Sequence, residues 1–252
     1  MVPDTSWTRC LCRILSQTFG YIVIGLLLFE GIQGVWAETL PPDPSQSPLT
    51  QLERIQSQGG QDSSDPATLL RLADLYLEIG QDIYQDKNQK RQAFDEGARL
   101  ARKALDMEDN NAEAHYLYAA NLGSSAQIKG VTASALTVNT LKTHVRRALE
   151  LNPDHAPALH MMGMMLEELP WFLGGDKDKA ITYLVRATEV KPDYTRARLD
   201  LAKIYIKRQN QTAAQAELLK ILHESPPSPV SESWKQDQRE AKNLFEALAI
   251  QH

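Results

Sequence analysis

Three runs in the middle of the chain end alike, and that recurrence restricts the fold more than any other feature. Lys103-Ala104-Leu105-Asp106-Met107 leads to Asp109-Asn110-Asn111, Arg147-Ala148-Leu149-Glu150-Leu151 to Asn152-Pro153-Asp154, and Arg186-Ala187-Thr188-Glu189-Val190 to Lys191-Pro192-Asp193. Pro192 and Pro226 lie 34 residues apart. That interval suits a helix-turn-helix unit that buries its apolar face only by stacking on its neighbours. The expected fold is therefore all-α, a right-handed α-solenoid. Such an array is usually a binding scaffold and rarely carries chemistry of its own.

Composition agrees with helix: Ala, Leu, Gln, Lys and Glu dominate, while Val and Ile are thinly spread. A formal net charge of -5 argues against a nucleic-acid partner. Residues 1–37 read as a signal peptide. Arg9 and Arg13 precede the apolar run 19–29, and Val35-Trp36-Ala37 precedes a cut at Glu38. The run is short for ~30 Å of hydrocarbon and Glu30 interrupts it, so cleavage is expected; an uncleaved leader would be the only membrane contact. Cys10 and Cys12 would leave with the leader, and no later Cys exists to carry a lipid, a disulfide or a metal. These features point to an exported, periplasmic protein. Residues 38–65, rich in Pro, Ser and Gly, read as a linker with at most a turn or two of helix over Leu49 to Ile55.

Four repeats follow, at about 66–109, 110–153, 154–192 and 193–226, then a capping helix at 230–250. The first helices present Leu69, Leu72, Ala73 and Tyr76; His115, Tyr118, Ala119 and Leu122; Leu159, Met162, Gly163 and Leu166; Ala197, Leu201, Ala202 and Tyr205. The second helices present Gly97, Ala101 and Ala104; Leu141, Val145 and Ala148; Ala180, Leu184 and Ala187; Ala214, Leu218 and Ile221. Three connections are longer than a minimal repeat needs. Residues 81–93 are polar helix formers, which predicts longer helices. Residues 123–133, with Gly123-Ser124-Ser125 and Gly130, read as an open connection. In 169–176, Pro170 ends one helix and Asp176 caps the next. Beyond Pro229, Trp234, Ala241, Leu244, Phe245 and Leu248 make an amphipathic helix that should cover the end of the last repeat.

These markers match the tetratricopeptide repeat consensus, and the resemblance covers about 67–225. Ala120-Asn121-Leu122-Gly123, the widened second repeat and the run Gly174 to Ala180 look like the exported bacterial T component associated with TRAP transporters. The same region resembles, more weakly, the eukaryotic regulators of microtubule dynamics. Asp109 stands where the repeat-closing Pro is usual, and the lipid-bearing Cys is missing. The resemblance implies a periplasmic solenoid working beside a solute-binding protein, without enzymatic activity.

Side chains on the inner face of the first helices would line a groove for a protein or peptide partner. By spacing these are Leu70 and Asp74; Glu113, Tyr116 and Ala120; His160, Met164 and Glu167; and Arg196, Leu199, Lys203 and Lys207. Acidic or neutral groups come early and basic groups late, so a partner with one basic and one acidic end would fit. The rival reading is an ordinary solvated helix face. Cytosolic relatives of this repeat class clamp a terminal carboxylate with paired Asn and Lys, but Asp74 and Ala120 occupy the Asn positions here.

In His160-Met161-Met162-Gly163-Met164-Met165, His160 and Met164 share a helix face, as do Met161 and Met165, and both ligand types suit cuprous copper. Core packing by Met is the expected role, and neither a metal nor a cofactor is assigned. Trp171 and Phe172 either fold back on the groove's end or form an exposed docking patch; burial is expected because exposed aromatic pairs are costly. No local signature of catalysis is present. A second functional reading is a carrier of a small apolar ligand, its pocket lined by Tyr116, Met164 and Trp171 and closed by the long connections.

Overall fold

The computed structural model describes residues 47–227 and 230–250, so the leader, both cysteines and the first part of the proposed linker lie outside the described residues. The described residues form ten α-helices: α1 (Pro48–Ser57), α2 (Pro66–Glu78), α3 (Lys87–Met107), α4 (Ala112–Lys129), α5 (Val131–Leu151), α6 (Ala156–Glu168), α7 (Lys177–Val190), α8 (Thr195–Lys207), α9 (Gln211–Leu222) and α10 (Glu232–Ile250). None is long and apolar enough to cross a membrane.

The polar residues that punctuate the repeats start the helices. Asp65, Asp86, Asn111, Asp176 and Asn210 each accept a hydrogen bond from a first-turn N–H of the following helix. His155 does the same through Nδ1, which accepts from the Ala158 N–H at 3.2 Å. Each satisfies a backbone donor that the helix itself cannot.

Consecutive helices pair as α2–α3, α4–α5, α6–α7 and α8–α9, and the apolar clusters run across the pairs. Ala119 of α4, Val145 and Ala148 of α5, and Ala158 and Met162 of α6 form one cluster; Leu159, Ala187 and Ala197 join α6, α7 and α8. This is stacking of repeats, each burying a face its neighbour completes. Ala202 is fully buried with Leu199, Ala214, Leu218 and Ile221. Ala202→Leu should therefore overpack the α8–α9 contact and cost about 1–3 kcal/mol. An unchanged thermal midpoint would contradict that placement.

Two expectations need correction. The linker does not extend through residue 65: from Pro48 onward the chain forms α1, capped by Ser47 and started by Pro48, followed by a 3-10 turn at Gly60–Asp62. Leu49, Leu52 and Ile55 form a helical stripe that packs on the first repeat, which supplies a core the segment lacks alone. The open connection at 123–133 is also absent. α4 continues through Gly123-Ser124-Ser125, and the turn falls on Gly130 alone, at φ 105°, a conformation only glycine adopts readily. Ser125 is buried and donates to Asp95 Oδ1 at 2.5 Å, so a tertiary partner holds the helix over residues that favour loops. The polar insertion at 81–93 is mainly helical as expected, with a π turn at Ile79–Ile83 before α3 begins.

Helix α10 covers the last repeat, with Ala241 and Leu248 in the α8–α9 cluster. It also reaches further than expected. Ser233 Oγ donates to Asp82 Oδ2 at 3.0 Å, joining the start of α10 to the π turn after α2.

Candidate functional site

The inner faces of α2, α4, α6 and α8 carry a chain of polar contacts. Arg71 donates to Asp74 Oδ2 at 2.6 Å and to Gln51 Oε1 of α1 at 2.6 Å. Burial raises the Asp74 carboxyl; Arg71 opposes this and Glu113 of α4 adds to it. Burial likewise raises Glu78, reinforced by Asp74 and Asp82 and opposed by Arg71. His155 Nδ1 is an acceptor, so its Nε2 carries the proton and donates to Glu113 Oε2 at 2.8 Å, tying α6 to α4.

Further along, His160 Nε2 lies 2.9 Å from Asp200 Oδ2 and its Nδ1 lies 3.1 Å from the Tyr194 hydroxyl. The carboxylate can only accept, so Nε2 donates to it and Nδ1 accepts from Tyr194. Burial pushes the Tyr116 phenol well above its usual value, with Tyr194, Glu113 and Asp74 adding to the shift. These acidic groups thus converge around Tyr116 from three elements.

From α8 the polar contacts continue to α10, the next helix in the stack. Arg196 Nη2 lies 2.7 Å from Asp237 Oδ1, and Lys203 Nζ lies 2.8 Å from Glu240 Oε1. Thr195 Oγ1 donates to Asp237 Oδ2 at 2.9 Å. Leu199, between Arg196 and Lys203 on the same stripe, is fully buried in the cluster that includes Ala241 and Leu248 of α10.

The expected groove therefore divides. Asp74, Glu113, Tyr116 and His160 lie along this chain of contacts; Arg196 and Lys203 stay half-buried, each paired with a carboxylate of α10, and Leu199 is turned into the core. Leu70 is buried in the first core and Ala120 packs against it. Met164 packs against the cluster of Leu184, Leu201 and Ile204. Glu167 and Lys207 leave the groove altogether. Glu167 is buried at the end of α6, with Lys207 at 2.9 Å, Lys177 at 3.6 Å and Arg208 at 3.7 Å. A buried carboxylate demands cations, and three converge on this one.

Trp171 and Phe172 do not fold back: they are 84% and 67% exposed and meet edge-to-face at 6.0 Å. Backbone bonds from Gly175 N to Pro170 O and from Asp176 N to Leu166 O close this loop around itself. Its side chains are left outside. A cleft of about 420 Å3 beside Trp171 is bordered by Glu168, Pro170 and Lys177. Another, of about 370 Å3, lies between Arg146, Leu149, Met162 and Tyr183. Neither unites Tyr116, Met164 and Trp171, so the pocket required of an apolar ligand carrier is not formed by those residues. Both nitrogens of His160 are engaged, while Met161 and Met165 pack in the core around Ala158. Among the described residues no group of three or more His, Cys, Asp or Glu is placed to hold a metal ion.

The residues that spacing alone missed are His155, Tyr194, Asp200, Asp237 and Glu240. One sequence signal did exist: Asp237, Glu240 and Ala241 share a helix face at i, i+3 and i+4.

Stacked helix pairs with alanines at their crossings give the chain a tetratricopeptide-repeat fold, and proteins of that fold generally bind protein or peptide partners. Residues 173–231 match the tetratricopeptide repeat profile, and residues 45–168 match the profile of Regulator of microtubule dynamics protein 1-3. Regulator of microtubule dynamics protein 1 of Bos taurus is 28% identical over 204 residues, covering 75% of this chain and 63% of that protein. Regulator of microtubule dynamics protein 3 of Bos taurus is 26% identical over 174 residues, covering 63% of this chain and 36% of that protein. The chain thus spans less than two thirds of the length of these curated relatives. Among solved structures, a thermophilic TPR protein of Thermus thermophilus superposes with a TM-score of 0.55, covering 80% of this chain and 89% of that one at 17% identity. That likeness is one of fold.

Proposed function

We propose that the chain is an exported, non-catalytic scaffold that holds a protein or peptide partner on the face shared by α2, α4 and α6. The crowding of Asp74, Glu78 and Glu113 carries this reading. Burial and mutual repulsion raise Asp74 and Glu78, so a partner's Lys or Arg side chains would relieve a repulsion present in the free protein. The partner is therefore read as a basic segment.

Export is supported by Arg9 and Arg13 before the apolar run and by the absence of cysteine after Cys12. The resemblance to the transporter-associated T component nominates a periplasmic solute-binding protein as the partner. A non-catalytic role is supported by His155 and His160, both of which spend their two ring nitrogens on structural contacts. The activity of the microtubule regulators is left with those proteins.

The test is a photo-crosslinker at Glu113 in the exported full-length chain, with one at Lys220 on α9 as control. Capture of a discrete periplasmic partner from position 113 is expected, lowered about tenfold by Asp74→Lys with Glu78→Lys (about 1.4 kcal/mol) and weakened by salt. Equal capture from position 220 would overturn the assignment of the face. Capture of cytosolic proteins alone would overturn export.

A further inference from the structure

The cleft between α5 and α7 lies on the side of α6 turned away from the inner face. Its floor takes Met162 and Leu166 from α6, each two residues, about 200°, round the helix from His160 and Met164. Lys142, Arg146 and Leu149 of α5 form one wall at i, i+4 and i+7, and Tyr183 of α7 belongs to the other. Two of these cations have no counter-ion. Lys142 Nζ donates to a carbonyl, Leu173 O at 3.0 Å, and Arg146 makes no ion pair or hydrogen bond among the described residues. The remaining charges of the lining are matched: Glu150 meets Arg147 at 3.2 Å, and Lys179 meets Asp176 at 3.0 Å.

The backbone makes room for Lys142. Gly174 stands at φ 85°, and a Cβ there would lie 2.5 Å from the lysine Nζ. The 3-10 turn that accepts the Lys142 bond, Trp171–Leu173, also carries the exposed Trp171 and Phe172. Exposed aromatics beside unmatched cations and an apolar floor have the composition of an interface anchor.

We propose that this cleft and the Trp171–Leu173 turn form a second docking surface, which takes an acidic peptide segment of a partner protein. A carboxylate of that segment sits between Lys142 and Arg146, and an apolar side chain covers Leu149, Met162 and Tyr183. Charge complementarity selects the occupant, since a basic segment would meet two unmatched cations. A bilayer surface would touch Trp171 without entering the cleft, and the exposed Glu168, which borders the other cleft beside Trp171, opposes an anionic one. The surface goes beyond the scaffold reading above, which assigns a basic segment to the inner face. Opposite sides of α6 then hold segments of opposite charge.

The probe is a peptide of alternating Glu and Leu, with a Gln-for-Glu peptide as control, captured by a photo-crosslinker placed at Phe172 of the full-length chain. Capture of the Glu peptide should exceed that of the control about tenfold and fall with added salt. Arg146 has no partner to lose, so Arg146→Glu should leave the fold intact and lower capture about tenfold; Trp171→Ala should lower it as much through the lost anchor. Equal capture of the two peptides, or capture unchanged by Arg146→Glu, overturns the proposal. Phosphatidylglycerol vesicles that bind the chain through Trp171 and displace the peptide would assign the turn to a membrane and overturn it too. Arg146→Glu should leave capture from position 113 unaltered, so the inner-face reading and this one fail separately.

Discussion

Replacing Gly97 with valine should lower the stability of the fold by about 3 kcal/mol. Gly97 of α3 faces Asn121 of α4, and a Cβ at position 97 would stand 2.6 Å from the Asn121 Cγ, closer still to its Oδ1. Asn121 cannot retreat. It is fully buried, and its Nδ2 donates to Leu117 O at 3.0 Å and to Ala73 O on α2 at 3.2 Å. One side chain thus fixes the approach of three helices. Gly97→Ala should lose less, because alanine regains about 1 kcal/mol of helix propensity. Urea unfolding would show the effect as a lower midpoint at unchanged slope. An unaltered midpoint for the valine variant would mean that α3 and α4 are free to separate.

Glu167→Gln should cost about 2 kcal/mol at neutral pH, less than for a fully buried pair because Lys177 and Lys207 remain largely exposed. Burial alone would raise this carboxyl, but the bond from Lys207 and the charges of Lys177, Lys207 and Arg208 outweigh it and hold it below the usual range. The sign follows from linkage. The unfolded chain takes up this proton more readily than the folded one, so the contribution is complete above the unfolded Glu value of about 4.3. It is lost as pH falls through the lower folded value. The stability gap between the original chain and Glu167→Gln should therefore be wide at pH 7 and shrink on acidification. A gap of constant width would show that shape, not charge, holds this site.

The solenoid was legible because it depends on short-range spacing: the alanines and leucines that recur along each helix are the ones found buried. The second repeat's connection was misread for a local reason. Gly123, Ser124 and Ser125 favour loops in isolation, and only burial of Ser125 against Asp95, thirty residues away, keeps them helical. Spacing grouped Asp74, Glu113, Tyr116 and His160 with Arg196 and Lys203, but it could not say what each side chain would meet. Arg196 meets Asp237, a residue beyond a proline-rich break, and spacing within α8 says nothing of what lies across from it. Trp171 and Phe172 were judged by the cost of exposure, when the backbone of their own loop had already decided their direction.

The contact between Asp82 and Ser233 joins residues 151 positions apart. In a linear stack each unit touches only its neighbours, so the terminal units fray first and the middle is lost last. Here the first and last units hold one another. Peeling α10 away removes support from the turn after α2, and melting that turn removes a partner from α10. Loss of order at one terminus is thereby transmitted to the other without passing through the stack between them. A repeat chain with such a clasp gives up part of the modularity that lets linear arrays gain or lose a unit, since a changed repeat number would carry the two halves of the clasp out of reach.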